Sequence, residues 1–95
     1  MFKPLDPLLH SQLRLAIVSL LISVEEADFT FIKEKTEATA GNLSVQIGKL
    51  EEAGYISVNK SFKGKIPQTK CKITKKGISA FESYVNELKK YIDPQ

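Results

Sequence analysis

The stretch Thr39-Ala40-Gly41-Asn42-Leu43-Ser44-Val45-Gln46-Ile47-Gly48-Lys49-Leu50-Glu51-Glu52-Ala53-Gly54 decides the fold, because it predicts one helix with both ends marked. Thr39 is a good N-cap, since its hydroxyl can accept a hydrogen bond from a free amide of the first turn. Gly54 can take the left-handed conformation that closes a helix. At 3.6 residues per turn, one side carries three large apolar residues, Leu43, Ile47 and Leu50. We expect a helix over about 39–53 with that side on a core.

The opposite face of this helix is unusual for a surface that meets only water. It carries small and polar residues: Gly41, Asn42, Val45, Gly48, Lys49 and Glu52, with Ser44 and Gln46 at its edges. The two glycines cost helix stability, roughly 1 kcal/mol each relative to alanine. Such a face suits a helix that lies in the major groove of DNA. The alternative is a weak surface helix whose glycines are incidental.

The residues before this helix predict two further helices. Two prolines in the first seven residues delay the first helix, which we expect over about 8–24. It is apolar on more than one face, which indicates one surface for its own core and one for a partner; burial of the whole helix in its own core is the alternative. Asp28 is an N-cap candidate for a second helix over 29–36. The short connection at 37–38 then makes a helix-turn-helix with the third.

After the third helix the apolar period changes from helical to alternating, which predicts a β-hairpin. We expect strands at 55–62 and 69–73 around a loop at 63–68. The last helix, over 74–91, has a threonine cap at its first position. Like the first helix, it has more apolar surface than one small core can use.

Charge divides the chain into two parts. Residues 1–54 carry a net charge of −3 and residues 55–95 a net charge of +6. Seven lysines lie within residues 60–76, a segment that contains no acidic residue. A cluster of this kind attracts phosphate backbones. Lysines that keep an exposed hairpin from pairing with other chains are the alternative, but that role accounts for only one or two of the seven.

The order helix, helix, helix, strand, loop, strand, helix is that of a winged helix. Over about residues 5–91 the sequence resembles the small archaeal and bacterial winged-helix regulators akin to the MarR and ArsR groups. The resemblance rests on Asp28-Phe29-Thr30-Phe31-Ile32-Lys33-Glu34-Lys35, on Thr39-x-Gly41-Asn42-Leu43-Ser44, on Lys49-Leu50-Glu51-Glu52-Ala53-Gly54-Tyr55-Ile56, and on Phe62-x-Gly64-x-x-Pro67-x-Thr69 followed by Ile73-Thr74-x-x-Gly77. The fold class expected is α+β, mainly helical, with a single winged helix-turn-helix domain over 1–95: three helices, a two-stranded wing and a C-terminal helix.

The resemblance also implies a homodimeric transcription factor whose third helix enters the major groove of double-stranded DNA while the wing touches the backbone or minor groove. At the positions of Gln46 and Gly48 the family usually carries more basic or more polar residues, so Lys49 is the one cation expected on this helix. The residues expected to contact DNA are Thr39, Asn42, Ser44, Val45, Gln46, Lys49, Lys60, Lys63 and Lys65. Amides can bond adenine edges, Lys can reach guanine, and Ser is permissive.

The first and last helices are the expected dimer elements. The apolar residues assigned to this interface are Leu9, Val18, Ile22, Tyr84, Leu88 and Tyr91. We expect a homodimeric repressor that reads a pseudo-palindrome with half-sites about one helical turn apart. The alternative function is a winged helix that binds an acidic protein partner with its basic hairpin, which the low cation count of the third helix favours.

Catalytic, metal-binding and membrane functions find little support in the sequence. One His and one Cys, far apart, provide no metal-ligand spacing, and no triad, glycine-rich phosphate loop or paired-carboxylate motif is present. We therefore expect no enzyme activity and no cofactor. Cys71 should be a small core residue on the inward face of a strand. The single cysteine and the lack of a signal-peptide pattern predict a cytoplasmic protein without a membrane partner; whether a small effector binds is open.

Overall fold

The computed structural model describes residues 2–93; Met1, Pro94 and Gln95 of the predicted 1–95 domain lie outside the described residues. Within that range the chain forms a winged helix, which confirms the predicted fold class. The elements are α1 (Gln12–Val24), β1 (Glu26–Asp28), α2 (Phe29–Thr36), α3 (Ala40–Glu52), β2 (Ile56–Lys63), β3 (Ile66–Ile73) and α4 (Lys75–Ile92).

Side-chain caps hold three of the helix starts where the sequence predicts them. The Thr39 hydroxyl accepts from the amide of Asn42 at 3.2 Å, the Asp28 carboxylate from Phe31 at 2.8 Å, and the Thr74 hydroxyl from Gly77 at 3.0 Å. Gly54 closes α3 with a φ of 81°, a left-handed conformation that glycine adopts without steric cost.

The first helix begins four residues later than predicted. Residues 7–9 form turns and residues 10–11 form bends before α1, and side chains on either side of this segment bind its main chain. Asp6 accepts a hydrogen bond from the amide of Leu8 at 2.9 Å, and Arg14 donates to the carbonyl of Leu8 at 2.6 Å. Side-chain bonds of this kind compete with the helical pattern.

The sheet has three strands rather than two, in the order β1-β3-β2, with both pairings antiparallel. The additional strand β1 covers only three residues and pairs Ala27 with Cys71. Three residues are too few to show an alternating apolar pattern, so only tertiary pairing reveals this strand.

The wing turn is shorter than the predicted loop at 63–68. Lys63 pairs with Ile66, which leaves Gly64 and Lys65 as a two-residue turn with a φ of 66° at the glycine. Pro67 is tolerated in β3 because it pairs with Phe62 in the second pair from the turn, which exchanges no hydrogen bonds, and β1 does not extend that far.

The core lies between the helices and the inner face of the sheet. Its largest fully buried side chains come from the lead-in at residues 2–11, the first three helices and β3: Leu9, Ile17, Val18, Leu21, Ile32, Leu43, Leu50 and Cys71. The prediction of an inward Cys71 is confirmed. Leu9 and Val18 are 0% exposed and Tyr84 is 5% exposed, which corrects their assignment to a dimer interface. Tyr84 also bonds His10 within the chain, its hydroxyl lying 3.0 Å from Nδ1.

The lead-in, residues 2–11, contacts Tyr55 in the middle of the chain and Tyr91 near the end of α4. The Tyr55 hydroxyl donates to Asp6 at 2.5 Å, and burial, followed by this bond and the Asp6 charge, raises the pKa of Tyr55 to about 12. At the end of α4, the Tyr91 hydroxyl donates to the carbonyl of Lys3 at 2.9 Å, and the Phe2 and Tyr91 rings lie 4.7 Å apart. These contacts fix the lead-in to Tyr55, the residue before β2, and to α4.

Candidate nucleic-acid interface

The outward face of α3 is exposed. Asn42, Ser44 and Lys49 are exposed to solvent, and Val45 is 55% exposed although it is apolar. A β-carbon at Gly41 or Gly48 would meet no atom within 4 Å beyond the neighbouring main chain of its own helix, so packing inside the chain does not require either glycine. The face therefore combines polar groups with positions that carry no protruding side chain, and a partner can approach the helix closely there.

A chain of hydrogen bonds connects this face to the first helix. Arg14 of α1 donates from Nη1 to Oε1 of Gln46 at 2.5 Å, and Gln46 donates from Nε2 to Oδ1 of Asn42 at 3.0 Å. The Thr39 hydroxyl then accepts a hydrogen bond from the main-chain N–H of Asn42. Three of the predicted contact residues, one at the cap of α3 and two within it, are therefore linked to one another, and the Asn42 and Gln46 side chains are oriented before any ligand binds.

Arg14 was missed in the sequence analysis. It is the only arginine of the chain and lies among the apolar residues of α1, half-buried, with its guanidinium beside α3. Isolated on an apolar helix, it gives no local signal of a role in DNA binding. An unpaired arginine in an otherwise apolar stretch could have indicated a partner on another element, since buried charges need one.

The wing places its lysines on different surfaces. Lys60, Lys63 and Lys65 are all exposed. Lys60 pairs with Thr69 on the face that carries the core residues, whereas Lys63 pairs with Ile66 on the opposite face, and Lys65 lies in the turn. The cations therefore surround the wing tip. They share this tip with Phe62 and Ile66, which are 73% and 70% exposed.

The part of the wing closer to the core has acidic neighbours that the sequence pattern did not reveal. In the register of β1 and β3, Glu26 lies opposite Lys72 and Asp28 opposite Lys70. Residues paired in this way share a face of the sheet, and opposite charges there attract each other. The lysine segment is free of acids in sequence but not in space, so the tip lysines are better placed for phosphate contact than Lys70 or Lys72.

Residues 2–93 contain neither a metal-ligand cluster nor a membrane-spanning helix. In this range no group of three or more His, Cys, Asp or Glu residues is placed to hold a metal ion. None of the helices formed by these residues is both long enough and apolar enough to cross a membrane.

The fold, the exposed third helix and the basic wing tip define a winged-helix protein of the DNA-binding class. The family of winged helix DNA-binding domains matches residues 13–92, and the chain belongs to this family. It is 41% identical over 80 residues to the uncharacterized protein MJ0432 of Methanocaldococcus jannaschii, covering 83% of this chain and 86% of that protein.

Solved structures agree with this assignment. A transcriptional regulator homologue from Pyrococcus horikoshii superposes with a TM-score of 0.85 at 30% identity, covering 92% of this chain and 86% of that one. NadR in complex with 4-hydroxyphenylacetate superposes with a TM-score of 0.73 at 20% identity, covering 93% of this chain and 64% of that one, a likeness of fold alone. The expected resemblance to small winged-helix regulators is confirmed.

Proposed function

We propose that the protein is a sequence-specific transcriptional repressor that binds double-stranded DNA as a homodimer. One observation carries this proposal: α3 exposes Asn42, Ser44 and Lys49 on a face where both glycines have open space, while its other face is buried. A helix with these side chains fits the major groove, where amides and ammonium groups can bond base edges. The exposed lysines of the wing tip would supply phosphate contacts.

The homodimer part of the proposal is supported by apolar surface left outside the core. Of the residues assigned to the interface, Ile22 and Leu88 are half-buried and Tyr91 is 45% exposed, while Ile92 beside it is 76% exposed. Two such copies would read half-sites about one helical turn apart. Sedimentation over a concentration series tests this, and a clean monomer at high micromolar protein would contradict it.

The DNA-binding part is tested by fluorescence anisotropy with the upstream DNA of its own gene and a shuffled control over a series of salt concentrations. Asn42→Ala and Lys49→Ala should change the preference among DNA sites, because these side chains face bases. Lys63→Ala should weaken all sites similarly and reduce the slope of log affinity against log salt by about 1. Lys89→Ala, an exposed lysine of α4, is the matched control and should change neither quantity.

A protein-binding winged helix is the second candidate, favoured by the two acids Glu51 and Glu52, which are exposed at the end of α3 and repel phosphate. Under that function, DNA affinity would be low at every salt concentration. If neither Lys49→Ala nor Lys63→Ala changed DNA binding, the DNA-binding proposal would be wrong in its main part.

A further inference from the structure

We infer that Arg14, acting through Gln46, sets which hydrogen-bonding group α3 presents to DNA, so that Asn42 reads a guanine rather than an adenine. This inference rests on the proposed function of α3. Arg14 is then a positioning residue for specificity, located on a helix that does not itself carry the reading face.

The orientation of two amides follows from the chemistry of arginine. A guanidinium carries only donors, so the Gln46 atom 2.5 Å from Arg14 Nη1 must be the carbonyl oxygen. The amide nitrogen of Gln46 is therefore the atom directed at Asn42, to which it donates at 3.0 Å. The Asn42 atom that accepts must be Oδ1. Because arginine cannot accept, the reversed arrangement of this chain of bonds is impossible.

The same bonds decide what Asn42 offers to a base. A free asparagine amide pairs with adenine through one donor and one acceptor. Here Gln46 takes one lone pair of Oδ1 and fixes the plane of the amide with Oδ1 facing Gln46, so the amino group of Asn42, with its two donors, is the group left for a base. Guanine presents two adjacent acceptors, N7 and O6, in the major groove. Asn42 is exposed whereas Gln46 and Arg14 are half-buried, so Asn42 makes the contact and the other two act behind it.

Arg14 is held from its other side as well. Its Nε donates to the carbonyl of Leu8 at 2.6 Å, and the lead-in that contains Leu8 is fixed through Asp6 to Tyr55, the residue before β2. The guanidinium is therefore fixed between two elements of the domain. A side chain held in this way can orient Gln46 without losing conformational freedom when DNA binds.

The test uses a DNA site selected from a random library by the wild-type protein. Each guanine of a half-site is replaced in turn by 7-deazaguanine, which lacks the N7 acceptor, and by adenine. For the wild-type protein, one guanine should be sensitive, with an affinity ratio of roughly 5- to 100-fold against adenine. Arg14→Met should lower that ratio to about threefold or less, because the Gln46 amide can then turn over. Gln46→Met should do the same, because it removes the donor to Oδ1.

An Asn42→Ala background separates positioning from direct contact. If Arg14 acts through Asn42, Arg14→Met should leave the ratio unchanged when Asn42 is already alanine. An equal effect in both backgrounds would show that Arg14 touches DNA itself and would overturn the inference. Each ratio compares two DNAs on one variant, so a uniform loss of folded protein cancels, and thermal unfolding of every variant checks this directly.

The outcomes also separate this inference from the function on which it rests. A wild-type protein that selects no sequence overturns the proposed function and the inference together. A selective wild-type protein whose guanine ratio is unchanged by both Arg14→Met and Gln46→Met overturns the inference alone.

Discussion

Gly77, in the first turn of α4, lies directly against the main-chain carbonyl of Tyr55: a β-carbon built on Gly77 would lie 2.1 Å from that oxygen. The same carbonyl accepts hydrogen bonds from the amide of Thr74 at 3.2 Å and from its hydroxyl at 2.9 Å. The start of α4 is therefore joined to the residue before the wing by a contact that only glycine permits.

Gly77→Ala should destabilise the protein by about 1–3 kcal/mol, even though alanine is the better helix former, because the added methyl group must displace main chain. Urea unfolding followed by circular dichroism measures the change. Ser79→Ala, at an exposed position of the same helix, is the control and should stay within about 0.5 kcal/mol of wild type. A Gly77→Ala protein as stable as wild type would show that α4 can shift away from Tyr55 at little cost.

Gly48→Ala should have opposite effects on stability and on DNA binding. Its β-carbon meets nothing within 4 Å, so the free energy of unfolding should rise by about 0.5–1 kcal/mol. The methyl group would stand on the face proposed to approach DNA, so affinity should fall. Thermal unfolding and anisotropy on the same sample measure both quantities. An alanine variant that is more stable and binds DNA unchanged would place DNA away from this face.

Glu37→Gly should stabilise the turn between α2 and α3. Glu37 has φ 57° and ψ 23°, a left-handed conformation that costs a residue with a β-carbon about 1 kcal/mol or more. We expect a gain of roughly 0.5–1 kcal/mol in the free energy of unfolding, since part of the relief is offset by the greater freedom of glycine in the unfolded chain. Glu34→Gly is the matched control inside α2 and should lose about 1 kcal/mol. If Glu37→Gly and Glu34→Gly lowered the free energy of unfolding equally, Glu37 would not be strained in this turn.

Cys71 should make stability fall at high pH. Burial, with a smaller effect of the Glu51 charge, raises the pKa of the Cys71 thiol from 9.0 to about 11. The pKa of the thiol is higher in the folded protein than in the unfolded chain. The stabilising contribution of the buried neutral thiol is therefore fully present below pH 9 and is lost as pH rises through 11. The difference in unfolding free energy between wild type and Cys71→Ala, measured in urea from pH 8 to 11, should shrink over that window.

The comparison with Cys71→Ala cancels other groups that titrate in the same range, including Tyr55. A difference that stays constant from pH 8 to 11 would mean that the folded protein tolerates the thiolate. The same burial should make the native thiol slow to react with Ellman's reagent at pH 8 compared with the unfolded protein, because the thiolate is the reactive form.

Local signals predicted the helices and the wing well. The caps Asp28, Thr39 and Thr74 and the closing Gly54 act between residues three or four apart, so the chain shows them without knowledge of the fold. The alternating pattern around Cys71 likewise predicted its burial. The late start of α1 was missed because Arg14 and Asp6 bind the main chain of residues between them, which no periodicity reports.

The sequence predicted which residues of α3 form the candidate site, but not the hydrogen bonds that join them. The sequence predicted DNA contacts for Asn42 and Gln46 separately, whereas the structure joins them to Arg14, 32 residues before Gln46. It also assigned Leu9, Val18 and Tyr84 to a partner, although all three are buried within the chain. Apolar spacing tells which side of a helix avoids water, but not whether the chain itself or a second copy covers that side.

The amino-acid sequence by itself determined the boundaries of α2, α3 and α4, the inward side of α3 and the basic wing, because each depends on neighbours along the chain or on periodicity. Only the tertiary structure decided the third strand, the acids beside Lys70 and Lys72, the contact between Gly77 and Tyr55, and the orientation of Gln46 by Arg14. These features join residues distant in sequence, and their geometry exists only once the core has brought the elements together.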